Sequence, residues 1–168
     1  AAPKPASSFA VEMAVGGVLL GLVLVIGLVT APDYGITIDE FNTEDYGPKA
    51  LAWYTSGFTD RSQFPFEEMA MYGPWAQMLT AAVQSLGLAS ALTVRHAVHF
   101  VLGLIGIAAL LPLGRLVAGR WAGLTAVVLC LITGYVYGLL FFAPIDSPFL
   151  AAMSLATLGI VVMARGEI

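Results

Sequence analysis

Four long stretches of this sequence contain no Asp, Glu, Lys or Arg, and they constrain its fold more than any other feature. They cover residues 13–31, 96–114, 121–145 and 147–164. A helix needs about 20 apolar residues to cross a hydrocarbon core of about 30 Å, and these stretches meet or approach that length. Only 11% of the chain is charged, far below the roughly one quarter of charged residues usual in soluble domains. We therefore predict an all-α, polytopic membrane protein.

Four transmembrane helices are predicted, at about 12–31, 95–116, 121–143 and 147–164. The segment 73–94 is also uncharged, but its apolar residues follow one helical face and Gly87 breaks the pattern. This favours an interfacial helix over 75–86 rather than a fifth span. Four spans also satisfy the positive-inside rule, because they place these bases on the cytoplasmic side: Lys4, Arg115, Arg120 and Arg165.

The predicted organisation is a cytoplasmic tail at 1–10 and a single transmembrane domain at 11–168. The protein is predicted to be integral to the cytoplasmic (inner) membrane, with both termini on the cytoplasmic side and the acidic loop 32–94 on the outer side. Residues 32–72 of that loop contain eight acids and two bases, so the net charge of −4 originates there. The chain has no basic patch for nucleic acid. Its single cysteine, Cys130, lies in an apolar stretch and has no partner for a disulfide.

Three glycine pairs are spaced four residues apart, which permits close approach of helices in lipid. The alternative is simple abundance, since the chain has 18 glycines. The pairs are Gly17/Gly21, Gly119/Gly123 and Gly134/Gly138.

Asp39 and Glu40 follow the first span directly, so both carboxylates should lie near the outer interface. One interpretation is structural, with Asp39 as the N-cap of a helix through Glu44. The other is catalytic. Gly47-Pro48 should then start another short helix that ends near Gly57.

Asp146 is the only acid between Glu68 and Glu167. Ser147 and Pro148 suit the N-cap and first position of the fourth span, so Asp146 should precede a helix N-terminus, where the dipole favours its charge. Asp146 either marks the turn between two spans or points into the same outer cavity as Asp39.

Arg95, His96 and His99 cluster at the outer end of the second span. An arginine beside a histidine can bind phosphate oxygens through charge-assisted hydrogen bonds. Two histidines are too few for a metal site without carboxylates from elsewhere. The alternative is a snorkelling arginine with interfacial histidines.

The order of several motifs resembles the N-terminal part of the bacterial GT-C glycosyltransferases, the protein-mannosyltransferase-like membrane enzymes that use polyprenyl-phosphate sugars. The resemblance runs from about residue 11 to the end. The matching motifs are Asp39-Glu40, Tyr46-Gly47, Tyr72-Gly73-Pro74, Arg95-His96 with Phe100, Leu113-Gly114-Arg115, and Pro144-x-Asp146-x-Pro148-Phe149.

This resemblance implies transfer of a sugar from a lipid-phosphate carrier to an acceptor on the outer membrane face. Asp39, Glu40 and Asp146 are the implied catalytic candidates, with Asp39 acting as base or positioning the donor. Arg95, His96 and Tyr72 are the substrate-binding candidates. The sequence leaves open whether a divalent cation takes part. The expected partners are membrane lipids and the lipid-phosphate-linked donor.

The chain departs from the family pattern where Asn-Pro-Lys-Asp is expected, because Ala143 and Ile145 replace the amide and the cation. The family also usually continues through further spans. Two alternatives follow: the N-terminal part of a working transferase, or a shortened, non-catalytic subunit packed in a larger, for example energy-transducing, membrane complex. A transporter is disfavoured because no span carries a charge at mid-bilayer.

Overall fold

A computed structural model describes residues 7–66, 69 and 71–166, without the side chains of Ser7, Ser8 and Asn42. This part of the chain is helical and contains no strand, which confirms the all-α prediction. Its helices are α1 (Ser7–Thr30), α2 (Ile38–Thr55), α3 (Trp75–Gln84), α4 (Ala91–Ala118), α5 (Ala122–Ile132), α6 (Gly134–Phe142) and α7 (Asp146–Ala164), with a 3-10 turn at Ala31–Asp33 after α1.

Three of these segments are long and apolar enough to cross a membrane: Phe9–Asp33, Ala91–Ala118 and Asp146–Ala164. Helices α5 and α6 could form a fourth crossing only as a pair. The pair is bent by 74° at the break between the two helices. Helix α3 has 10 residues and is therefore about 15 Å long, too short to span the hydrocarbon core.

The predicted third span is not one continuous helix, because Thr133 interrupts it. Thr133 has φ −77° and ψ 98°, which lies outside the helical region. Its hydroxyl donates to the carbonyl of Leu129 at 2.7 Å, and such back-bonding favours helix bending. Gly134 follows and adds backbone freedom.

Helices α1 and α4 run antiparallel, and their contacts define two ends of the bundle. At one end, Glu12 of α1 pairs with Arg115 of α4. At the other, the ring of His96 donates to the carbonyl of Ala31 at 3.2 Å. We call these the Glu12 end and the Asp39 end. Helix α5 begins at the Glu12 end, where the amide of Trp121 donates to Glu12.

Helix α4 is the centre of the bundle and packs against α1, α3, α5, α6 and α7. Where α4 crosses α5, a Cβ on Gly123 would lie only 1.9 Å from the carbonyl oxygen of Leu111. Among the residues of the three predicted glycine pairs, only Gly123 lies at a contact between helices. Gly17, Gly21 and Gly134 have no neighbouring atom within 4 Å of such a Cβ.

One local prediction is wrong. Helix α2 is continuous through Pro48, rather than two helices separated at Gly47. It packs closely against α3 at this point, where a Cβ on Gly47 would lie 2.6 Å from the carbonyl oxygen of Gln77. Residues 7–10 of the predicted tail are helical, because α1 begins at Ser7, and the rest of that predicted tail lies outside the described residues.

Candidate functional site

The first turn of α2 is stabilised by a capping box at Thr37 and Glu40. The Glu40 carboxylate accepts from the amide of Thr37 at 2.8 Å and from its hydroxyl at 3.1 Å. The N-cap is therefore Thr37, and the prediction that Asp39 caps this helix is wrong. The Thr-x-x-Glu spacing is the sequence signal for this arrangement. It leaves the Asp39 side chain exposed and free for other contacts.

Glu40 is fully buried, and its Oε1 lies 3.0 Å from Nε2 of His96, which is also fully buried. The contact does not meet hydrogen-bond geometry, so Glu40 Oε1 and His96 Nε2 lie against each other without a hydrogen bond. Burial raises the pKa of Glu40, but His96 and the Thr37 bonds lower it more, so the net pKa is below its ordinary value. Glu40 therefore joins α2 to α4 as a buried carboxylate.

Asp39 and Asp146 come together at one cavity of about 430 Å³, although 107 positions separate them in the sequence. Asp146 is the first residue of α7, where the helix dipole favours a negative charge. Ser147 is not the N-cap predicted, because its hydroxyl donates to the carbonyl of Leu139 in α6. We call this space the carboxylate cavity; its described lining is Asp39, Met69, Met71, Tyr72, Ala143, Pro144, Ile145 and Asp146.

A second cavity of about 290 Å³ adjoins the carboxylate cavity. The two share Met71, Tyr72, Pro144 and Ile145. The second cavity extends along α3 and α7, where its additional lining is mostly apolar. We call it the apolar trough; beyond the shared residues it is lined by Gly73, Trp75, Ala76, Gln77, Pro148, Phe149 and Ala152.

Gln77 connects the two loops that carry the acids. Its side-chain amide nitrogen donates to the carbonyl of Pro144 at 3.2 Å, and its own carbonyl oxygen is buried without a partner. Its backbone lies against Gly47 of α2, the helix that carries Asp39. Nothing in the sequence marks Gln77, since it is an uncharged residue on a short predicted helix.

Arg95 lies away from the carboxylate cavity. It is only 3% exposed, and it pairs with Glu44 of α2 at 3.3 Å. Its Nη1 and both ring nitrogens of His99 are buried without partners. These groups border a space of about 10 Å³ between α2, α3 and α4, comparable to the volume needed for one water molecule. Arg95 and His96 thus join α4 to α2. Tyr72 alone of the predicted binding residues lines the carboxylate cavity.

The Glu12 end contains a partly buried ion pair that the sequence did not indicate. Glu12 is fully buried and pairs with Arg115, and its other oxygen accepts from the amide of Trp121 at 3.2 Å. Arg115 also lies over the ring of Phe9, 4.9 Å from its centroid. This cluster fixes α1, α4 and the start of α5 to one another.

Among the described residues, no group of three or more His, Cys, Asp or Glu side chains is arranged to hold a metal ion. Asp39 and Asp146 are two carboxylates at one cavity, the ligand type that Mg²⁺ and Ca²⁺ prefer. A divalent cation there would take its remaining ligands from water or from a substrate.

Comparison with known proteins leaves the resemblance to the GT-C enzymes untested. No family model matches the chain, and no curated protein or solved structure matches it. Functional inference therefore depends on the two cavities and the residues that line them.

Proposed function

We propose that this chain is all or part of a membrane glycosyltransferase. It moves a sugar from a lipid-phosphate carrier to an acceptor on the outer face of the cytoplasmic membrane. The observation that carries the proposal is the meeting of Asp39 and Asp146 at one cavity that continues into an apolar trough. Binding sites for amphiphilic substrates need such a combination of a few polar groups and an apolar wall.

The chemistry assigns different roles to the two carboxylates. Asp39 is exposed at the cavity and is the general base that removes the proton of the acceptor hydroxyl. Asp146, fixed at the start of α7, positions the substrate. A divalent cation held by both would supply the positive charge that a phosphate leaving group needs.

The proposed orientation places the Asp39 end outside and the Glu12 end inside, with four crossings. The α5–α6 pair supports four crossings, because α5 starts beside Glu12 and α6 leads to the Pro144–Asp146 segment at the other end. The distribution of Arg115, Arg120 and Arg165 supports the orientation. The Trp75–Gln84 helix then lies along the outer interface.

The test is transfer by membranes that contain the full chain, supplied with polyprenyl-phosphate-linked radioactive glucose or mannose. Asp39→Asn should reduce turnover on the order of 10²-fold, the usual scale for losing a positioned base. Asp146→Asn should have a smaller effect. Asp33→Asn is the matched control, since Asp33 is an exposed acid of the same loop that is not among the residues lining the cavity. Protein level and membrane insertion should be unchanged in all three.

Two outcomes would contradict the proposal. Transfer that is unchanged in Asp39→Asn would remove the base from the mechanism. Absence of transfer by the parent chain, together with its stable co-purification in a larger membrane complex, would favour the non-catalytic subunit.

A further inference from the structure

We propose that the exposed face at the break between α5 and α6 is the contact surface for a second copy of this chain. The inference depends on α5 and α6 crossing the membrane as a pair, and it does not depend on the proposed transfer reaction. It comes from the depth of the break, the backbone groups that the break leaves without partners, and two glycines beside it.

The break lies within the hydrocarbon core. Helix α5 starts at the Glu12 end, where the amide of Trp121 donates to Glu12, and it has 11 residues. It is therefore about 16 Å long, so it ends roughly halfway through a hydrocarbon core of about 30 Å. Helix α6 continues from there towards the Asp39 end. The break faces outwards from the bundle, since Ile132 is 70% exposed and Tyr135 is 77% exposed.

The break leaves three carbonyls and three amides without a backbone partner in the described part of the chain. The bonds of α5 end with the Thr133 amide, which donates to Leu129 at 3.2 Å, and those of α6 begin with the Tyr137 amide, which donates to Thr133 at 3.0 Å. The carbonyls of residues 130–132 and the amides of residues 134–136 are therefore left over. The Thr133 hydroxyl does not cap α6; it donates to Leu129 instead.

Unpaired backbone groups of this kind need a polar partner inside a membrane. Irregular backbone at this depth is tolerated only where other protein or a water-filled cavity covers it, because lipid chains cannot form hydrogen bonds. The exposed residues at the break have no such cover from the described part of this chain. The face is therefore incomplete as a lipid-facing surface.

A second copy of the chain offers polar partners at the right depth. Copies with the same orientation in one membrane have their breaks at the same level. A two-fold axis along the membrane normal then brings the free donors of one copy to the free acceptors of the other. Tyr135 adds an exposed hydroxyl, which both donates and accepts. This hydrogen-bond complementarity favours a second copy over an unrelated helix, which would need polar groups at that same level.

Two glycines let another helix approach the break closely. Gly134 and Gly138 lie about one turn apart on α6, the spacing of closely packed helices in lipid. A Cβ on Gly134 would have no atom within 4 Å, and one on Gly138 would contact only Phe142 of the same helix, at 3.4 Å. No part of the described chain occupies this face. The α6 helix of a partner can therefore come close enough for hydrogen bonds between the copies.

The first experiment measures self-association of the full chain in phospholipid vesicles. Copies labelled with donor or acceptor fluorophores are reconstituted over a range of protein-to-lipid ratios, and energy transfer gives the dissociation constant. Gly134→Leu puts a bulky side chain on the contact and should raise that constant about tenfold or more. Gly159→Leu is the matched control, because it adds the same side chain to α7 where no atom lies within 4 Å, and it should leave the constant unchanged.

Tyr135→Phe tests the hydrogen bonds without adding bulk. The side chain is 77% exposed, so the variant should fold as the parent does, which circular dichroism verifies for every variant. One hydrogen bond between membrane helices changes association by about threefold, and a two-fold pair loses two of them. The dissociation constant should therefore rise about tenfold.

The second experiment is cross-linking in membranes of cells that produce the full chain with Cys130→Ala. A cysteine at Ile132 should form a disulfide-linked dimer when a lipid-soluble oxidant is added. Val18→Cys is the matched control, because Val18 is also an exposed residue of a membrane-spanning helix, at 65%, but lies on α1. It should give no cross-linked dimer.

A chain that stays monomeric in vesicles would overturn the inference. A dimer with an unchanged dissociation constant in both Gly134→Leu and Tyr135→Phe would also overturn it. Labelling of Ile132→Cys by a water-soluble maleimide would show that water covers the break, and its cross-linking to a different protein would show that another subunit does; both results oppose the second copy. Transfer by a monomer would leave the proposed function standing without this interface, and a dimer without transfer would retain the interface and remove the enzyme.

Discussion

Replacement of Glu40 by alanine tests the buried contact between α2 and α4. The carboxylate contacts Thr37 twice and His96 once, and neither Glu40 nor His96 is exposed. Breaking a buried ion pair by removing one partner typically costs about 3–5 kcal/mol, because the remaining group stays buried without compensation. Glu40→Ala should therefore lower the free energy of unfolding by about that amount.

Glu40→Gln removes the charge of this side chain but keeps its size and shape, so it measures the contribution of the charge alone. The glutamine oxygen can still accept from Thr37, so the capping box is retained. In the parent, both ring nitrogens of His96 face groups that only accept, the carbonyl of Ala31 and the carboxylate of Glu40. With glutamine, the new amide can donate to the ring nitrogen that faces it, so the loss should be only about 1–2 kcal/mol.

The assay is unfolding of the full chain in mixed micelles by increasing SDS, followed by tryptophan fluorescence. Asp45→Asn is the control, because Asp45 belongs to an exposed pair whose carboxylate side chain is 70% accessible, and such pairs contribute about 0.2–1 kcal/mol. If Glu40→Ala is no more destabilising than Asp45→Asn, the buried-pair reasoning is refuted. Equal losses in the alanine and glutamine variants would refute the argument about the histidine ring.

Three further predictions concern packing, pH and orientation. Gly123→Ala should lower the free energy of unfolding in the same SDS assay by about 1–3 kcal/mol through overpacking, whereas Gly17→Ala, with no atom within 4 Å, should be neutral; equal effects would contradict the close crossing. Because the pKa of Glu40 is lowered from 4.5, its stabilisation is complete above that pH and is lost as the pH falls through the lower folded value. Thermal unfolding from pH 7 to 3 should show a shallower acid loss in Glu40→Gln. A cysteine at Thr59 should react with an impermeant maleimide in whole cells and one at Ala118 should not; the reverse would invert the orientation.

The sequence predicts the helical class and the meeting of the two acids, and the reasons are physical. Apolar length determines which segments can cross a membrane. The charge asymmetry then places Asp39 and Asp146 at the same end, and the structure has both at one cavity. This part of the site follows from topology, which depends on composition over many residues rather than on any one contact.

The rest of the site depends on contacts between distant residues, which one sequence does not encode locally. The capping role of Glu40 was readable from its spacing to Thr37, but its burial against His96 depends on how α2 packs on α4. Gln77 has no charge or motif to mark it, and its bond to Pro144 spans 67 residues. The break at Thr133 is similarly hidden, because the residues around it are as apolar as those of a continuous span.

The pairing of Glu12 with Arg115 has a consequence for biosynthesis. The two residues are 103 positions apart, so at about 5–20 residues per second the arginine follows the glutamate by roughly 5–20 s. During that interval Glu12 lacks the arginine that pairs with it in the folded bundle. We expect it to wait in the headgroup layer and to settle at its final depth only when α4 arrives. Insertion of the first helix and folding of the bundle are then coupled in time, and a ribosome stalled before residue 115 should leave α1 accessible to cytoplasmic reagents near Glu12.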